Sequence, residues 1–141
     1  MRRIVLDCNI FVSAILVSGS GPAQILDLAQ ERKIELLVSP PILAEIARVM
    51  RYPKIQKRHR LSPAQLDDLM VTYAAFAIVT PGKRRVKAIQ EDPSDNMYLE
   101  CALEGGAGFI VSGDKHLLGL GTFQGIPIVN PAAFLKILMQ E

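Results

Sequence analysis

The chain has 141 residues, 50% of them hydrophobic, and a formal net charge of +2. This length accommodates one domain with a substantial core, and no linker or low-complexity segment divides it, so we expect a single domain over residues 1–141. No apolar run is long enough to span a bilayer, and the N-terminus begins with a charged pair and a strand instead of a cleavable leader. We therefore expect a soluble, cytoplasmic protein with no membrane partner.

Cysteine and histidine are too sparse for a metal cage built from thiolates or imidazoles. Cys8 and Cys101 are far apart and form no CxxC pair, and His59 and His116 are single. Any metal ion would therefore be held by carboxylates.

The positive charge is concentrated in one segment. Residues 46–90 carry ten Lys or Arg against two Asp or Glu, whereas the remainder carries six against twelve. This asymmetry suggests a polyanionic partner that the basic segment guides toward the carboxylates. Alternatively, these cations only solvate helix faces. The candidate phosphate-binding cations are Lys54, Lys57, Arg58, Arg60, Lys83, Arg84, Arg85 and Lys87.

Short buried strands alternate with helices along the chain. The first strand, Ile4 to Leu6, ends at Asp7, ahead of an apolar run over residues 10–17. A loop at 18–22 leads into a helix that ends in the polar residues 31–33. Asp7 is therefore an aspartate at the end of a strand.

Glu45 lies within the apolar stripe of the next predicted helix, which follows a second strand at 34–38. An unpartnered buried carboxylate is costly, so Glu45 must be protonated, pair with a cation or bind a metal. Alternatively, Glu45 lies at the margin of the stripe and reaches solvent or pairs with Arg48 or Arg51.

The middle of the chain contains two basic groups separated by a helix. Residues 51–60 are too charged and too broken for a core element, and we predict an exposed basic turn. Ser62 to Gln65 fits a capping box with proline at the first helical position, which opens a helix. A third strand is expected at 77–80, followed by the second basic group at 83–87.

The stretch 92–118 carries the densest chemical signal. Asp92 precedes a proline in the way that is typical of a helix start, and Asp95 falls in the first turn of that helix. Two consecutive glycines, 105 and 106, end the helix. Taken alone, both aspartates are better explained by helix capping and dipole pairing, and the aspartate after the first strand is what favours a functional role.

On the same predicted helix, Glu100 and Glu104 repel each other at helical spacing and are expected to face water. The apolar run 109–111 is typical of a buried parallel strand, and it ends at Ser112-Gly113-Asp114. Asp114 is therefore a second strand-end aspartate, although it could be only a turn residue.

The remaining elements complete an alternating pattern. Residues 117–120 are expected to form a short loop, 126–129 a final strand and 131–139 a terminal helix. The alternation predicts a three-layer α/β/α sandwich with a central, mainly parallel sheet. Sites in such folds form outside the carboxyl ends of strands near a switch point, so we expect Asp7 and Asp114 to meet there.

Together, four features resemble a PIN domain: VLDCN at the start, Glu45 on the third helix, DPSDNMYLECAL, and IVSGDKHLL. Their ordered spacing covers nearly the whole chain. It most resembles the PIN subgroup described as toxin components of toxin–antitoxin systems, in which acidic residues form a metal-dependent nuclease site.

The resemblance implies an acidic quartet with polar neighbours. The family often has Thr or Ser after the first aspartate and Thr at the position of Ser112, so Cys8 and Ser112 depart from its pattern. The implied catalytic and metal-binding acids are Asp7, Glu45, Asp95 and Asp114, with Asn9, Ser112 and Asp92 as supporting residues.

The chemistry of clustered carboxylates leads in the same direction. Carboxylates brought together repel and raise one another's pKa unless a divalent cation neutralises them. Hard oxygen ligands favour Mg²⁺ or Mn²⁺. One or two such ions would activate a water molecule and stabilise charge on a scissile phosphate, which makes phosphodiester hydrolysis the expected reaction.

The resemblance implies RNA as the substrate and an antitoxin protein as a partner, whereas the residues themselves argue only for a phosphate-rich polymer. A homodimer or higher homo-oligomer is left open. The alternative function is a catalytically silent PIN-like module that binds RNA or protein through its basic segment; its mark in a sequence would be a broken acidic quartet, and the quartet here is intact. A receiver-like phosphoryl-transfer protein is a third candidate, but LDCN and the Asp114-Lys115 arrangement fit it poorly.

Overall fold

The structure is a computed structural model that describes residues 2–141. Its centre is a six-stranded sheet made of β1 (Arg3–Leu6), β2 (Glu35–Val38), β3 (Ile78–Val79), β4 (Phe109–Val111), β5 (Thr122–Phe123) and β6 (Ile126–Val129). The strand order is β3-β2-β1-β4-β6-β5. Every neighbouring pair is parallel except β5 with β6, which is antiparallel.

The helices are α1 (Cys8–Leu16), α2 (Gly21–Gln30), α3 (Pro40–Met50), α4 (Pro53–His59), α5 (Pro63–Phe76), α6 (Asn96–Gly105), α7 (Lys115–Leu120) and α8 (Pro131–Met139). A short 3₁₀ turn, Pro93–Asp95, immediately precedes α6.

The central strands are buried on both faces. All three residues of β4 and the last three of β1 are buried. Because successive side chains of a strand point to opposite faces, an unbroken run of buried residues requires cover on both sides of the sheet. The predicted three-layer α/β/α sandwich with a mainly parallel sheet is therefore confirmed.

Polar caps explain where several helices begin. The Ser62 hydroxyl accepts the N–H of Gln65 at 3.1 Å, and the Gln65 side chain accepts the N–H of Ser62 at 2.9 Å, which is the predicted capping box. Ser39 and Asn130 cap α3 and α8 in a similar way, each followed by proline at the first helical position.

The expected basic turn over 51–60 is wrong in its local structure, because residues 53–59 form α4. Proline opens this helix, and Arg60 ends it in a left-handed conformation with φ of 57°. The His59 ring bridges the Met50 carbonyl at 2.7 Å and the Leu61 N–H at 2.8 Å, which fastens α4 to its neighbours. The cations of α4 are exposed, as expected.

Two further expectations are corrected near the ends of strands. Residues 117–120 are not a loop but belong to α7, because Asp114 caps a new helix at once. The third strand is limited to Ile78–Val79, since Ala77 still bonds to α5. The edge strand β5 was not predicted, because two residues are too few for a visible periodicity.

The sequence predicted that the two glutamates of α6 face water, but in the structure both accept backbone hydrogen bonds. Glu104 accepts hydrogen bonds from the backbone N–H groups of residues 82–84 at 2.8 to 3.0 Å, and Glu100 accepts the N–H of Val86 at 2.9 Å. This part of the chain has no helix or strand, so its N–H groups need other acceptors. The glutamates supply them.

Asn96, also on α6, continues this clamp. Its side-chain oxygen accepts the N–H groups of Ala88 and Ile89 at 3.2 and 2.9 Å, and its amide donates to the Ile89 carbonyl at 3.1 Å. Residues 82–89, called the basic strap below, are therefore bound along α6 through their backbone. Their four cationic side chains are exposed.

Among residues 2–141, no single helix is long and apolar enough to cross a membrane. The pair α1 and α2 meets the length and composition of a span only when joined, and the two helices are bent by 94° relative to each other.

We expect Glu104→Gln to loosen the basic strap and lower stability at neutral pH by about 1 kcal/mol, a value reduced for solvent exposure. Partial desolvation raises the pKa of Glu104, but the backbone donors of Arg84, Lys83 and Gly82 outweigh it and hold the pKa below its usual range. The contribution is therefore present above the unfolded pKa of about 4.3 and is lost as pH falls through the lower folded pKa.

Thermal unfolding followed by circular dichroism at pH 7 and at about pH 3 measures this effect. Glu91→Gln is the control, because Glu91 is exposed and lies outside the clamp. A difference between parent and Glu104→Gln that is equally large at both pH values would contradict a role for the ionised carboxylate.

Candidate active site

Asp7 lies at the carboxyl end of β1, between the ends of β2 and β4. Its side chain is almost fully buried, with only 3% of the residue exposed. Oδ1 accepts the N–H of Ile10 at 2.9 Å and thereby caps α1, while Oδ2 accepts the N–H of Gly113 at 3.3 Å and the hydroxyl of Ser112. Burial raises the pKa of Asp7, although these donors oppose the shift.

Ser112 connects the two strand-end aspartates. Its hydroxyl is fully buried, donates to Asp7 and accepts the N–H of Asp114 at 2.9 Å. Asp114 Oδ2 in turn accepts the N–H groups of residues 116 and 117 at 2.9 and 3.1 Å. The structure thus brings Asp7 and Asp114 to the same sheet edge, where strand order reverses around β1.

Asp95 is the least satisfied acid at this edge. Its Oδ2 is buried and has no hydrogen-bond partner within the part of the chain that the structure describes. Burial and the neighbouring Asp114, Asp92 and Asp7 raise the pKa of Asp95 to about 7. An ionised Asp95 therefore lacks a compensating positive charge.

Glu45 approaches from α3 and is paired with a cation. Its side chain is 24% exposed, and both carboxylate oxygens accept from Arg48 Nη2 at 2.6 Å. The sequence left open whether Glu45 is protonated, binds a metal, reaches solvent or pairs with a cation, and in the structure it pairs with Arg48. The cost of partial burial is therefore offset by the guanidinium.

The four acids line one small pocket of about 160 Å³. Larger and more apolar clefts lie between α2 and α8 and between α3 and α5, but they contain no comparable cluster of carboxylates. The pocket is lined by Asp7, Cys8, Asn9, Glu45, Asp92, Ser94, Asp95, Met97, Tyr98 and Asp114.

Among the predicted supporting residues, Asn9 is exposed at the pocket rim and Ser112 lies buried behind Asp7. Asp92 lines the pocket, and its side chain accepts a hydrogen bond from the Ser94 hydroxyl at 2.5 Å. The sequence suggested that Asp92 caps a helix, but its side chain makes no capping hydrogen bond to the 3₁₀ turn. Its charge instead contributes to the raised pKa of Asp95.

Tyr98 is a pocket residue that sequence reasoning missed. Its hydroxyl accepts the N–H of Cys8 at 3.0 Å, which ties the start of α1 to α6. Tyr98 follows Asp95 by three residues, so the two side chains share one helix face. The three-residue spacing from Asp95 could therefore have identified Tyr98 as a pocket residue from the sequence.

The eight predicted phosphate-binding cations lie outside the pocket. All are exposed, and within residues 2–141 none of them forms an ion pair with a carboxylate. Those in residues 54–60 belong to α4 and its C-cap, and those in residues 83–87 belong to the basic strap.

The donor chemistry of the pocket fits a hard divalent cation, because several carboxylate oxygens converge and one of them is buried without a partner. Within the described chain, however, no three Asp, Glu, His or Cys side chains already stand in a metal-binding arrangement. Glu45 is turned to Arg48 and would reorient to bind an ion directly, whereas the oxygens of Asp7 and Asp114 that accept backbone N–H groups keep further lone pairs for an ion.

The fold and the pocket together define an α/β domain with an acidic pocket at the switch point of its parallel sheet. The PIN domain family matches residues 3–116 of the chain. An uncharacterized protein of Methanocaldococcus jannaschii is 34% identical over 118 residues, which cover 84% of this chain and 74% of that protein. The chain therefore belongs to the PIN-domain family, whose members are generally nucleases.

One solved structure supports the fold independently of sequence. A chain of VapBC2 from Rickettsia felis, crystallised with a DNA fragment from their promoter, superposes with a TM-score of 0.58. The match covers 91% of this chain and 98% of that chain at 14% identity. Similarity at this level of identity concerns the fold alone.

We expect Asp95→Asn to raise the thermal stability of the metal-free protein at pH 8, where the folded parent must ionise a carboxyl whose pKa is about 7. Asparagine removes that charge and keeps the shape, and the gain should be about 1–2 kcal/mol after discounting for partial exposure. Differential scanning calorimetry in EDTA measures it. Asp68→Asn on the exposed surface of α5 is the matched control, and a lower melting temperature for Asp95→Asn alone would refute the proposed repulsion.

Proposed function

We propose that the protein is a metal-dependent nuclease that cleaves single-stranded RNA, and that residues 1–141 act as one PIN domain. The observation that carries the proposal is the Asp95 carboxylate, whose Oδ2 is buried without a partner and which is crowded by Asp114, Asp92 and Asp7. Crowded carboxylates with raised pKa values are typical of sites that bind a cation or transfer protons. Family membership favours a hydrolase of phosphodiester bonds.

Asp7, Asp95 and Asp114 are the proposed ligands of Mg²⁺ or Mn²⁺, with Glu45 binding directly or through water. When bound, the ion would supply Lewis-acid activation of water and neutralise charge on the scissile phosphate. Ser112 orients Asp7 through its buried hydroxyl, and the N–H of Ile10 holds the opposite oxygen. These contacts restrict the carboxylate to one orientation, which favours a defined ligand geometry.

The pocket offers no activated side-chain nucleophile. Burial, together with the charges of Glu45 and Asp7, raises the pKa of the Cys8 thiol to about 12, so it stays protonated at neutral pH. Burial also raises the pKa of the Tyr98 phenol, whose oxygen is engaged by the Cys8 N–H. Water is therefore the proposed nucleophile.

The exposed cations of α4 and the basic strap are the proposed path of the RNA backbone. Lys and Arg contacts to phosphates supply affinity that does not depend on sequence. Because these cations have no carboxylate partners within the described chain, they remain available to a polyanion.

The cellular role that we propose is that of a cytoplasmic toxin with an antitoxin partner. It is supported by the sequence resemblance and by the shared fold with a chain of VapBC2. The homo-oligomeric state is a separate proposal, for which sedimentation of the purified protein is the test.

We expect the purified protein to hydrolyse single-stranded RNA only with a divalent ion, and Asp7→Asn to reduce the rate by at least ~100-fold, the loss typical of removing one strong electrostatic contact in an active site. Metal-induced thermal stabilisation should disappear in the same variant, because it depends on the same carboxylate. Cleavage of labelled oligoribonucleotides and thermal shifts with Mn²⁺ provide the two measurements.

Asp68→Asn, prepared in parallel, controls for the removal of a carboxylate outside the pocket and should cleave at the parental rate, and cleavage that persists in EDTA would reveal a contaminating metal-independent nuclease. Equal cleavage by Asp7→Asn and the parent would rule out this mechanism. Failure of both to cleave a varied RNA panel that both bind would favour the catalytically silent binding module instead.

We also expect replacement of Lys57, Arg58 and Arg60 by alanine to weaken RNA binding and to lower the salt slope by roughly one unit per lost phosphate contact. Fluorescence anisotropy over a range of salt concentrations measures both quantities. The control replaces Arg32, Lys33 and Lys136, of which Lys33 lies at the amino end of β2, the sheet edge opposite the pocket. A triple variant of α4 with unchanged affinity and slope would place the RNA path elsewhere.

A further inference from the structure

Arg48 and Tyr52 form a pair next to the acidic pocket. Arg48 follows Glu45 by three residues on α3, so these two side chains lie on the same helix face. Tyr52 lies just beyond the end of α3, between its C-cap Arg51 and the start of α4. The Arg48 Cζ atom lies 5.6 Å from the centre of the Tyr52 ring, and the guanidinium also donates to the phenol oxygen. Arg48 thus contacts Glu45 on one side and an aromatic ring on the other.

Both members of the pair are open to solvent. The Arg48 side chain is 59% exposed, and Tyr52 is 42% exposed, which makes it one of few large apolar side chains on the surface of residues 2–141. The core gains little from a ring placed in this way. A guanidinium beside an exposed aromatic ring provides a phosphate-binding fork and a stacking surface in one place.

The position of the pair connects the pocket to the basic helix. Tyr52 is the N-cap residue of α4, and it contacts Arg48, which in turn pairs with Glu45 in the pocket lining. A nucleotide that flanks the scissile phosphate could therefore reach the ring. The exposed cations of α4 begin two residues later, at Lys54.

We propose that Arg48 and Tyr52 form a nucleotide subsite, in which Tyr52 stacks on a base of single-stranded RNA and Arg48 binds the adjoining phosphate. This inference rests on the proposed function for the choice of RNA. It follows from the chemistry of single-strand recognition, in which unstacked bases pack on aromatic or guanidinium planes while cations hold the backbone. Glu45 holds Arg48 in place when no RNA is bound.

The competing explanation is that Arg48 only neutralises Glu45 and that Tyr52 only supports Arg48. The two explanations differ in what the ring does for a ligand that carries bases. If the pair is a subsite, the aromatic ring increases affinity for an oligonucleotide with bases but not for a backbone without bases. If Tyr52 only supports Arg48, the ring affects both ligands equally.

The test measures binding of a fluorescein-labelled oligouridylate and of an abasic oligonucleotide of the same length by anisotropy in EDTA, where no cleavage occurs. Tyr52→Ala should weaken oligouridylate binding at least about fivefold, which corresponds to ~1 kcal/mol of stacking, and leave abasic binding unchanged. Tyr52→Phe keeps the ring and should bind like the parent.

Arg48→Ala should weaken binding of both ligands and lower the salt slope by about one unit. Arg51→Ala is the matched control, because it removes the same charge from the adjacent turn, where Arg51 pairs with Asp67 at 3.0 Å. Glu45→Gln should strengthen binding by releasing Arg48, and this gain should shrink in the Arg48→Ala background. If Glu45→Gln strengthens binding equally with and without Arg48, then Glu45 only repels the RNA. This result would overturn the proposed role of Arg48.

Equal binding of oligouridylate by Tyr52→Ala and the parent, or an equal loss for both ligands, would overturn the subsite. Thermal unfolding of each variant identifies a loss that comes from misfolding, and Tyr52→Phe keeps the test decisive if the alanine variant is unstable. Base-dependent binding without metal-dependent cleavage would support the subsite and refute the nuclease. Metal-dependent cleavage together with unchanged binding by Tyr52→Ala would support the nuclease and refute the subsite.

Discussion

The structure depends on how carboxylates are held at the carboxyl edge of a buried parallel sheet. Asp7 and Asp114 each use an oxygen to cap a helix, α1 and α7 respectively, so the helices that leave the sheet are anchored by the acids of the pocket. The Ser112 hydroxyl joins the two through its contacts to Asp7 Oδ2 and the Asp114 N–H. Helix capping and site chemistry are therefore not alternatives here, because the same atoms serve the fold and face the pocket.

Helix α6 links the pocket to the basic surface. Its N-terminal end presents Asp95 and Tyr98 to the pocket, and its C-terminal half uses Glu100 and Glu104 to fix the backbone of the basic strap. The acid at the N-terminal end of α6 is thus crowded by carboxylates of other elements, whereas Glu100 and Glu104 hold a row of cations in place. This arrangement places opposite charges at a fixed separation, which suits a polyanion that must approach carboxylates.

Glu45 is bound differently from the three aspartates, since its partner is a side chain that can move. The guanidinium of Arg48 offsets its charge and lies close to the Tyr52 ring, so the acid on α3 connects the pocket to an exposed aromatic group. Backbone donors hold Asp7 and Asp114 rigidly, whereas an exposed ion pair is weak and exchangeable. The α3 side of the pocket is therefore its adaptable side.

The sequence by itself determined that Asp7 and Asp114 follow buried strands, because an apolar run ends at each of them, and that Ser62 opens a helix through a local capping box. Only the tertiary structure decided the partners of the other charges. Glu104 binds N–H groups 20 to 22 residues away, and Asp95 is desolvated by elements that meet only in the folded chain. Local patterns reveal contacts between near neighbours in sequence, whereas burial and distant hydrogen bonds follow from how the layers pack.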